Sequence, residues 1–296
     1  MKNFRGCFTA MVTPFRQDNT IDFDGLKRNI EFQIKGGISG LVPLGTTGES
    51  PVISDTERSS IITFVVDKVD GRVPVIVGTG TNNTEKTIRY SKEAERLGAD
   101  AVLVVSPYYN KPTQECLYRH FTDVADSVEI PVIIYNIQSR TGVNIETPTL
   151  KRLAERRNII GVKEASGNLS QIMDVLHELP EGFLVLSGDD NLTLPIMSMG
   201  GAGVISVVSN LFPAKVSGLV KAALEHNYGE AGKLHFELLP VFKAAFIETN
   251  PMPIKAAMNF AGLSAGNCRP PLYGLLPPNE ERIRKVIETH LASARQ

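Results

Sequence analysis

Eight short apolar runs, separated by longer amphipathic stretches, constrain the fold of this 296-residue chain more than any other feature. The runs are rich in Val, Ile and Leu, which is typical of buried parallel β-strands. They are Cys7–Val12, Gly40–Leu44, Val73–Val77, Ala101–Val105, Pro131–Tyr135, Ile159–Lys163, Phe183–Leu186 and Gly203–Val207. Eight strand–helix units of even spacing predict an α/β fold, a (β/α)8 TIM barrel, with an open doubly wound sheet as the alternative.

Several of the amphipathic stretches begin with recognisable helix starts. Ser54 and Glu57 have the spacing of a capping box, Thr147 is a candidate N-cap with Pro148 as the first helical residue, and Asn168 is a further candidate N-cap. The alternation ends after the eighth run, and the remaining residues have a helical pattern broken by prolines. We therefore predict a barrel over residues 1–225 and a small C-terminal helical segment over residues 226–296.

Composition excludes several classes of function. The chain is 42% hydrophobic and 21% charged, as in ordinary globular proteins, and its net charge of -1 argues against nucleic acid as a partner. Residues 1–6 lack the apolar stretch of a signal peptide, and no apolar run is long enough to span a bilayer. We expect a cytoplasmic protein that acts on small molecules and does not bind membranes. Three cysteines without metal-ligand spacing, Cys7, Cys116 and Cys268, are predicted to be buried.

Polar residues follow five of the predicted strands. In a TIM barrel the catalytic side chains lie where strands end and the next loops begin, so these residues should meet at one face. They are Gly45–Ser50 after the second run, Ser106–Asn110 after the fourth, Tyr135 with Ser139–Gly142 at the fifth, Lys163 at the sixth and Ser187–Asp190 after the seventh.

Lys163 closes a run that otherwise contains only Ile, Val and Gly. An ammonium group is poorly solvated there, so its pKa should fall, and a neutral lysine attacks carbonyl carbon to begin Schiff-base catalysis. By the two-residue alternation of a strand, Ile159 and Gly161 should share its face, and Gly161 should leave room beneath it. The alternative is a structural lysine whose ammonium group reaches water.

Other residues at the predicted barrel mouth suit the same chemistry. The turn Gly45–Ser50 offers hydroxyl and N–H donors to a small carboxylate, Tyr135 can transfer protons, and Arg140 can bind a carboxylate through two hydrogen bonds. A plain turn, a core tyrosine and a solvated arginine are the structural alternatives. The histidines fall in predicted helices, which argues against a metal-dependent enzyme. They are His120, His177, His226, His235 and His290.

These segments together resemble the dihydrodipicolinate synthase family, over essentially the whole chain. The segments that carry the resemblance are Gly45–Ser50, Pro107–Asn110, Tyr135–Asn136 with Ser139–Gly142, and Gly161–Asn168. A lysine and a tyrosine at these strand ends are shared with the wider pyruvate-aldolase superfamily, including N-acetylneuraminate lyase and 2-keto-3-deoxygluconate aldolases. A sugar-acid aldolase or lyase is therefore the second hypothesis, and a non-catalytic pyruvate-binding protein is the third.

The resemblance implies four catalytic residues. Lys163 would form a Schiff base with pyruvate, and Tyr135 would carry protons. Thr46 would connect Tyr135 to Tyr109, which in the family reaches in from a neighbouring subunit. The family assembles as a homotetramer, a dimer of tight dimers, and its reaction requires neither a metal nor an organic cofactor.

The resemblance also implies the substrate-binding residues. Thr47, helped by the main chain near Gly188 and Ile205, would bind the carboxylate of pyruvate. Arg140 would bind the carboxylate of L-aspartate 4-semialdehyde, the second substrate of this lyase reaction. The product, 4-hydroxy-tetrahydrodipicolinate, lies on the diaminopimelate route to lysine.

The chain departs from the family pattern in two places. Gln138 stands where the family usually has a proline, which predicts a less rigid loop around Arg140. Lysine-inhibited members have histidines and a glutamate around a cleft between subunits, where this chain has Asp55, Arg58 and Lys86. A cation at Lys86 would repel the ammonium group of lysine, so weak or absent inhibition is expected. Other cleft residues, Ser50, Asn82 and Tyr108, are kept.

Overall fold

Eight parallel strands form a closed barrel in the computed structural model, which describes residues 2–293. Hydrogen-bonded neighbours follow the order β2-β1-β8-β7-β6-β5-β4-β3, and a parallel bridge between Leu41 and Val75 connects the two outer strands. The predicted TIM barrel is confirmed. The strands are β1 (Gly6–Ala10), β2 (Gly40–Val42), β3 (Ile76–Gly78), β4 (Ala101–Val105), β5 (Val132–Asn136), β6 (Ile159–Glu164), β7 (Leu184–Ser187) and β8 (Gly203–Ser206).

Helices connect the strands and continue beyond the last one. The helices that alternate with the strands or follow β8 directly are α1 (Phe23–Lys35), α2 (Asp55–Val69), α3 (Thr84–Arg96), α4 (Gln114–Ala125), α5 (Gln138–Thr141), α6 (Thr147–Leu153), α7 (Leu169–Glu178), α8 (Thr193–Ser198) and α9 (Pro213–Leu224). The C-terminal segment contains α10 (Tyr228–Ala244), α11 (Met252–Phe260) and α12 (Pro277–Ser293). Among the described residues, no helix has the length and apolar character needed to cross a membrane.

Two of the three predicted helix starts are confirmed. Ser54 and Glu57 form the capping box, and the side chain of Asn168 accepts a hydrogen bond from the Gln171 amide. The third was wrong by one residue, because the cap of α6 is Glu146 and Thr147 is already helical. A proline fits any position in the first helical turn, so Pro148 does not distinguish the two registers.

The apolar core has two layers. One fills the barrel interior and includes Phe8, Ile133 and Leu186, and the larger layer lies between the strands and the surrounding helices. Cys7 is buried as predicted, whereas Cys116 is exposed and Cys268 is partly exposed. Cys116 is exposed because α4 turns other positions, such as Leu117 and Phe121, towards the core.

The strand that carries Lys163 contains an irregularity. Val132 of β5 pairs with Ile159, but the next residue, Ile133, pairs with Gly161, so β6 has one extra residue at this point. Such a bulge reverses the inside–outside alternation. The expectation that Ile159 shares the face of Lys163 was therefore wrong, since Ile159 packs in the outer layer and Ile160 packs against the interior.

Gly161 has a different role from the predicted one. A Cβ atom at this position would lie 2.5 Å from the carbonyl oxygen of Leu184. The glycine therefore permits the close approach of β6 and β7. The space beside Lys163 comes instead from Gly188, where a Cβ atom would lie 3.1 Å from Cε of Lys163.

Candidate active site

Lys163 and Tyr135 lie side by side near the carboxyl ends of two neighbouring strands. They are register partners across β5 and β6, and both are buried, with 5% and 6% of their surface exposed. The Lys163 Nζ atom lies 4.1 Å from the centroid of the Tyr135 ring. The structure thus brings the two central predicted residues together at the barrel mouth.

The environment of Lys163 favours its neutral form. Burial lowers its pKa to about 7; Asp190 acts in the opposite direction, and the positive charge of Arg140 adds to the lowering. The sequence predicted this direction. A far larger fraction of the Lys163 side chains is therefore a neutral, nucleophilic amine at neutral pH than for a solvated lysine.

Tyr135 remains a protonated phenol over the same range. Burial raises its pKa to about 12, while Arg140 and a hydrogen bond with Thr46 act in the opposite direction. Thr46 is partly buried in the turn that follows β2. A phenol hydrogen-bonded to a threonine can both donate and accept a proton, as a proton carrier must.

Tyr109 does not reach this pair within its own chain. It is 89% exposed, and its backbone has the left-handed conformation, with φ of 76°. Its aromatic side chain therefore buries little apolar surface within its own chain.

Thr47 and Arg140 are connected through a residue that sequence reasoning did not assign. The buried Thr47 hydroxyl oxygen accepts a hydrogen bond of 3.0 Å from Nδ2 of Asn250, and Nη2 of Arg140 donates one of 3.2 Å to the carbonyl oxygen of Asn250. Arg140 is otherwise exposed at the mouth. Both predicted carboxylate-binding residues thus contact the C-terminal segment.

The loop around Arg140 is held without a proline at position 138. Residues Gln138–Thr141 form the short helix α5, which ends at Gly142 in the left-handed conformation. The Thr141 hydroxyl group donates to the carbonyl oxygen of Ile137 at 2.9 Å, and its oxygen accepts from the Val143 amide at 3.2 Å. These bonds hold the segment that contains Gln138, and the lower rigidity expected there remains a prediction.

A buried ion pair fixes the turn that bears Thr46 and Thr47. Glu49, in the left-handed conformation at φ 57°, accepts a hydrogen bond of 2.7 Å from Nζ of Lys255, and both side chains are 2% exposed. The Lys255 ammonium group also donates to the carbonyl oxygens of Thr13 at 3.0 Å and Asn267 at 2.8 Å. Glu49 and Lys255 are far apart along the chain, so no local sequence pattern predicts this ion pair.

Of the two residues predicted at the last two strands, one lies beside Lys163 and the other lies in the barrel interior. Gly188 leaves room for the side chain of Lys163, and Ile205 is buried in the barrel interior on β8. Asp190, to which the sequence assigned no individual role, accepts hydrogen bonds from the Ser206 hydroxyl group at 2.5 Å and the Val207 amide at 2.9 Å. Burial raises its pKa to about 6, so at higher pH it places a negative charge near Lys163.

A cavity of about 320 Å³ opens beside this group. Its wall includes Thr46, Tyr135 and Arg140, whereas Lys163 lies behind it against the Tyr135 ring. Five of the six predicted cleft residues belong to the same wall, namely Ser50, Arg58, Asn82, Lys86 and Tyr108, whereas Asp55 does not. The cavity therefore joins the predicted cleft to the side of the candidate active site that bears Thr46, Tyr135 and Arg140.

The histidines lie away from this cavity. His120, His177, His235 and His290 are helical as predicted, but His226 lies in the turn between α9 and α10, with φ of 58°. Within residues 2–293, no group of three or more His, Cys, Asp or Glu side chains is arranged to hold a metal ion.

Comparisons with known proteins agree with this geometry. The model of the dihydrodipicolinate synthetase family matches residues 3–290. The 4-hydroxy-tetrahydrodipicolinate synthase of Methanocaldococcus jannaschii is 50% identical over 97% of this chain and 98% of its own length. The structure of the synthase of that name from Methylacidiphilum fumariolicum SolV is 44% identical, with a TM-score of 0.96 over 99% of both chains.

A further solved structure shows a ligand. The dihydrodipicolinate synthase of Acinetobacter baumannii, complexed with pyruvate, is 36% identical and superposes with a TM-score of 0.95 over 97% of this chain and 99% of its own. Fold and sequence agree over nearly the whole length. The chain belongs to the dihydrodipicolinate synthetase family.

Proposed function

We propose that this chain is a lyase that condenses pyruvate with L-aspartate 4-semialdehyde, giving 4-hydroxy-tetrahydrodipicolinate on the route to lysine. The observation that carries the proposal is the buried Lys163 amine, with its lowered pKa, lying against Tyr135 at the barrel mouth. Relatives with 47 to 50% identity over nearly the full length carry the name of this synthase.

The reaction begins at Lys163. The neutral amine attacks the ketone carbon of pyruvate, water leaves, and an imine forms. Loss of a proton from the methyl group gives an enamine, and Tyr135, hydrogen-bonded to Thr46, transfers the protons. Thr47 and the main chain near Gly188 and Ile205 bind the pyruvate carboxylate.

The second substrate reacts with the enamine. Its carboxylate binds Arg140, and the enamine carbon forms a bond to the aldehyde carbon. The amino group of the substrate then attacks the imine carbon, which closes the ring and releases Lys163 as a free amine. Every step uses groups of the chain and its substrates, and the proposal includes neither a metal nor an organic cofactor.

We propose a homotetramer built from tight dimers, in which Tyr109 reaches the Tyr135 and Thr46 of its partner subunit. The exposure of Tyr109 and its fixed left-handed backbone support this arrangement. Light scattering of the purified protein measures the mass of the assembly. Tyr109→Phe should lower kcat and leave the mass unchanged, whereas an unchanged kcat would contradict the role.

A substrate comparison tests the reaction. Pyruvate is supplied with aspartate semialdehyde or with sugar aldehydes, and turnover should require aspartate semialdehyde. Arg140→Ala should lower kcat/KM for this substrate roughly 10- to 100-fold, the worth of a hydrogen bond to a charged group. Arg157→Ala, at a side chain that is 93% exposed, is the control and should have no effect.

Two results would contradict this choice of substrate. Equal or faster turnover with a sugar aldehyde would favour the sugar-acid aldolase. If Arg140→Ala kept full activity with aspartate semialdehyde, Arg140 would not be the residue that selects the second substrate.

We propose that lysine inhibits this enzyme weakly or not at all. The cleft part of the cavity contains Arg58, which is 2% exposed, with its guanidinium carbon 4.1 Å from the centroid of the Tyr90 ring. The Lys86 Nζ atom lies 5.3 Å from the same ring, so two cations face the space that a lysine ammonium group would enter. A sub-millimolar inhibition constant for lysine in the synthase assay would contradict this expectation.

A further inference from the structure

Asn250 occupies a position that joins the C-terminal segment to the candidate active site. It lies between α10 and α11, 4% exposed, and contacts Thr47 through its side chain and Arg140 through its carbonyl oxygen. The nearby ion pair of Lys255 with Glu49 ties α11 to the same turn. Asn250 therefore has a fixed place beside two residues proposed to bind carboxylates.

The direction of the hydrogen bond to Thr47 determines what the hydroxyl group can do. A hydroxyl group has one hydrogen to donate, whereas a carboxylate oxygen can only accept. The Asn250 amide donates a hydrogen bond to Thr47 Oγ1. The Thr47 side chain makes no other hydrogen bond with residues 2–293. The hydroxyl hydrogen of Thr47 is thus left free for a ligand.

Stability alone does not account for this arrangement. The Oδ1 atom of Asn250 is buried and has no hydrogen-bond partner among the described residues. A buried polar atom without a partner destabilises the folded state, and such atoms in native proteins call for another explanation. A side chain that keeps Thr47 in the donor role supplies one.

We infer that Asn250 is a positioning residue for pyruvate. Its amide group holds Thr47 Oγ1 as an acceptor, so that the Thr47 hydroxyl group donates to the carboxylate of the bound substrate. The inference rests on the proposed function, because it takes the ligand of Thr47 to be that carboxylate. An acceptor at position 250 would reverse the hydrogen bond and withdraw the donor from pyruvate.

Three variants separate this role from a structural one. Asn250→Asp keeps size and backbone but presents only acceptors, Asn250→Leu removes both donor and acceptor, and Thr47→Val removes the hydroxyl group at nearly constant shape. For each, borohydride trapping at increasing pyruvate concentration and pH 8 gives the concentration for half-maximal adduct, without a second substrate. Circular dichroism checks that each variant is folded.

The expected pattern follows from hydrogen-bond polarity. Asn250→Asp and Thr47→Val should each raise the half-saturating concentration about 10-fold or more, as for loss of a hydrogen bond to a charged group. Asn250→Leu should raise it by less than Asn250→Asp but measurably, about 3-fold, because the Thr47 hydroxyl group is no longer held in place but can still turn towards the substrate. In the Thr47→Val background, Asn250→Asp should have little further effect.

Clear results would overturn the inference. If Asn250→Asp still weakens pyruvate binding about 10-fold in the Thr47→Val background, its charge acts directly and not through Thr47. An unchanged half-saturating concentration in Asn250→Asp would overturn the inference as well. An unchanged value in Thr47→Val would also overturn it, and this test does not require that the Asn250→Asp variant folds. If the unmodified protein forms no adduct at any pyruvate concentration, the proposed function itself fails.

Discussion

Lys163→Met should stabilise the protein while abolishing its proposed chemistry. Lys163 is 95% buried, and its pKa falls from 10.5 to about 7 on folding, so the folded state binds the proton less tightly than the unfolded state. Stability rises with pH wherever the unfolded state binds more protons. The destabilisation by Lys163 is therefore fully present below pH 7 and disappears as the pH rises through 10.5.

The size of the effect follows from the same two pKa values. At 1.36 kcal/mol for each pKa unit, the penalty is about 4 kcal/mol at pH 7 and about 2 kcal/mol at pH 9. Methionine fills a similar volume without a charge, so Lys163→Met should recover most of that free energy. The gain should be about twice as large at pH 7 as at pH 9.

Urea-induced unfolding at both pH values measures this difference. Protein concentration must be matched, because an oligomer gains apparent stability with concentration. Lys92→Met, at an exposed position on α3, is the control and should show no such pH dependence. A Lys163→Met variant that is less stable than the original protein, or equally stabilised at pH 7 and pH 9, would refute the burial account of its pKa.

Three further predictions concern the same site. The rate of imine formation with pyruvate should fall below pH 7 and level off above it, and a midpoint near 10 would contradict the lowered pKa of Lys163. Lys255→Met should lower the free energy of unfolding, measured in urea, by about 3 to 5 kcal/mol, because it leaves the buried Glu49 carboxylate without its cation. Adding Glu49→Gln to this variant should restore much of the lost stability. Gly188→Ala places a Cβ atom 2.7 Å from that of Ala165 and 3.1 Å from Cε of Lys163, so kcat should fall at least about 10-fold, and unchanged kcat would argue against close packing there.

Much of the fold could be predicted from the sequence because each barrel strand is a local apolar run. The bulge in β6 could not, since an extra residue is defined only by how Ile159 and Gly161 pair with β5. Predicted helix starts held where a side chain caps the helix, as at Ser54. The start of α6 was displaced because its cap, Glu146, makes no side-chain hydrogen bond.

The candidate site divides in the same way. Lys163 and Tyr135 are detectable because they lie at the carboxyl ends of strands, and Thr46 because it lies in the turn after a strand, and these ends meet at one face. Asn250 and Lys255 lie in the C-terminal segment, outside the pattern of strand ends, and contact the barrel mouth only after folding. The contacts of Asn250 and Lys255 indicate that the barrel and the C-terminal segment act as one unit. The boundary at residue 225 and the cytoplasmic location remain predictions.

The most direct test of the central claim is borohydride reduction in the presence of pyruvate, followed by mass spectrometry of the digested protein. A stable pyruvate adduct is expected on Lys163 and none on Lys255, which is also deeply buried but has its ammonium group paired with Glu49. Absence of an adduct on Lys163, or an adduct of equal yield on another lysine, would contradict the Schiff-base mechanism.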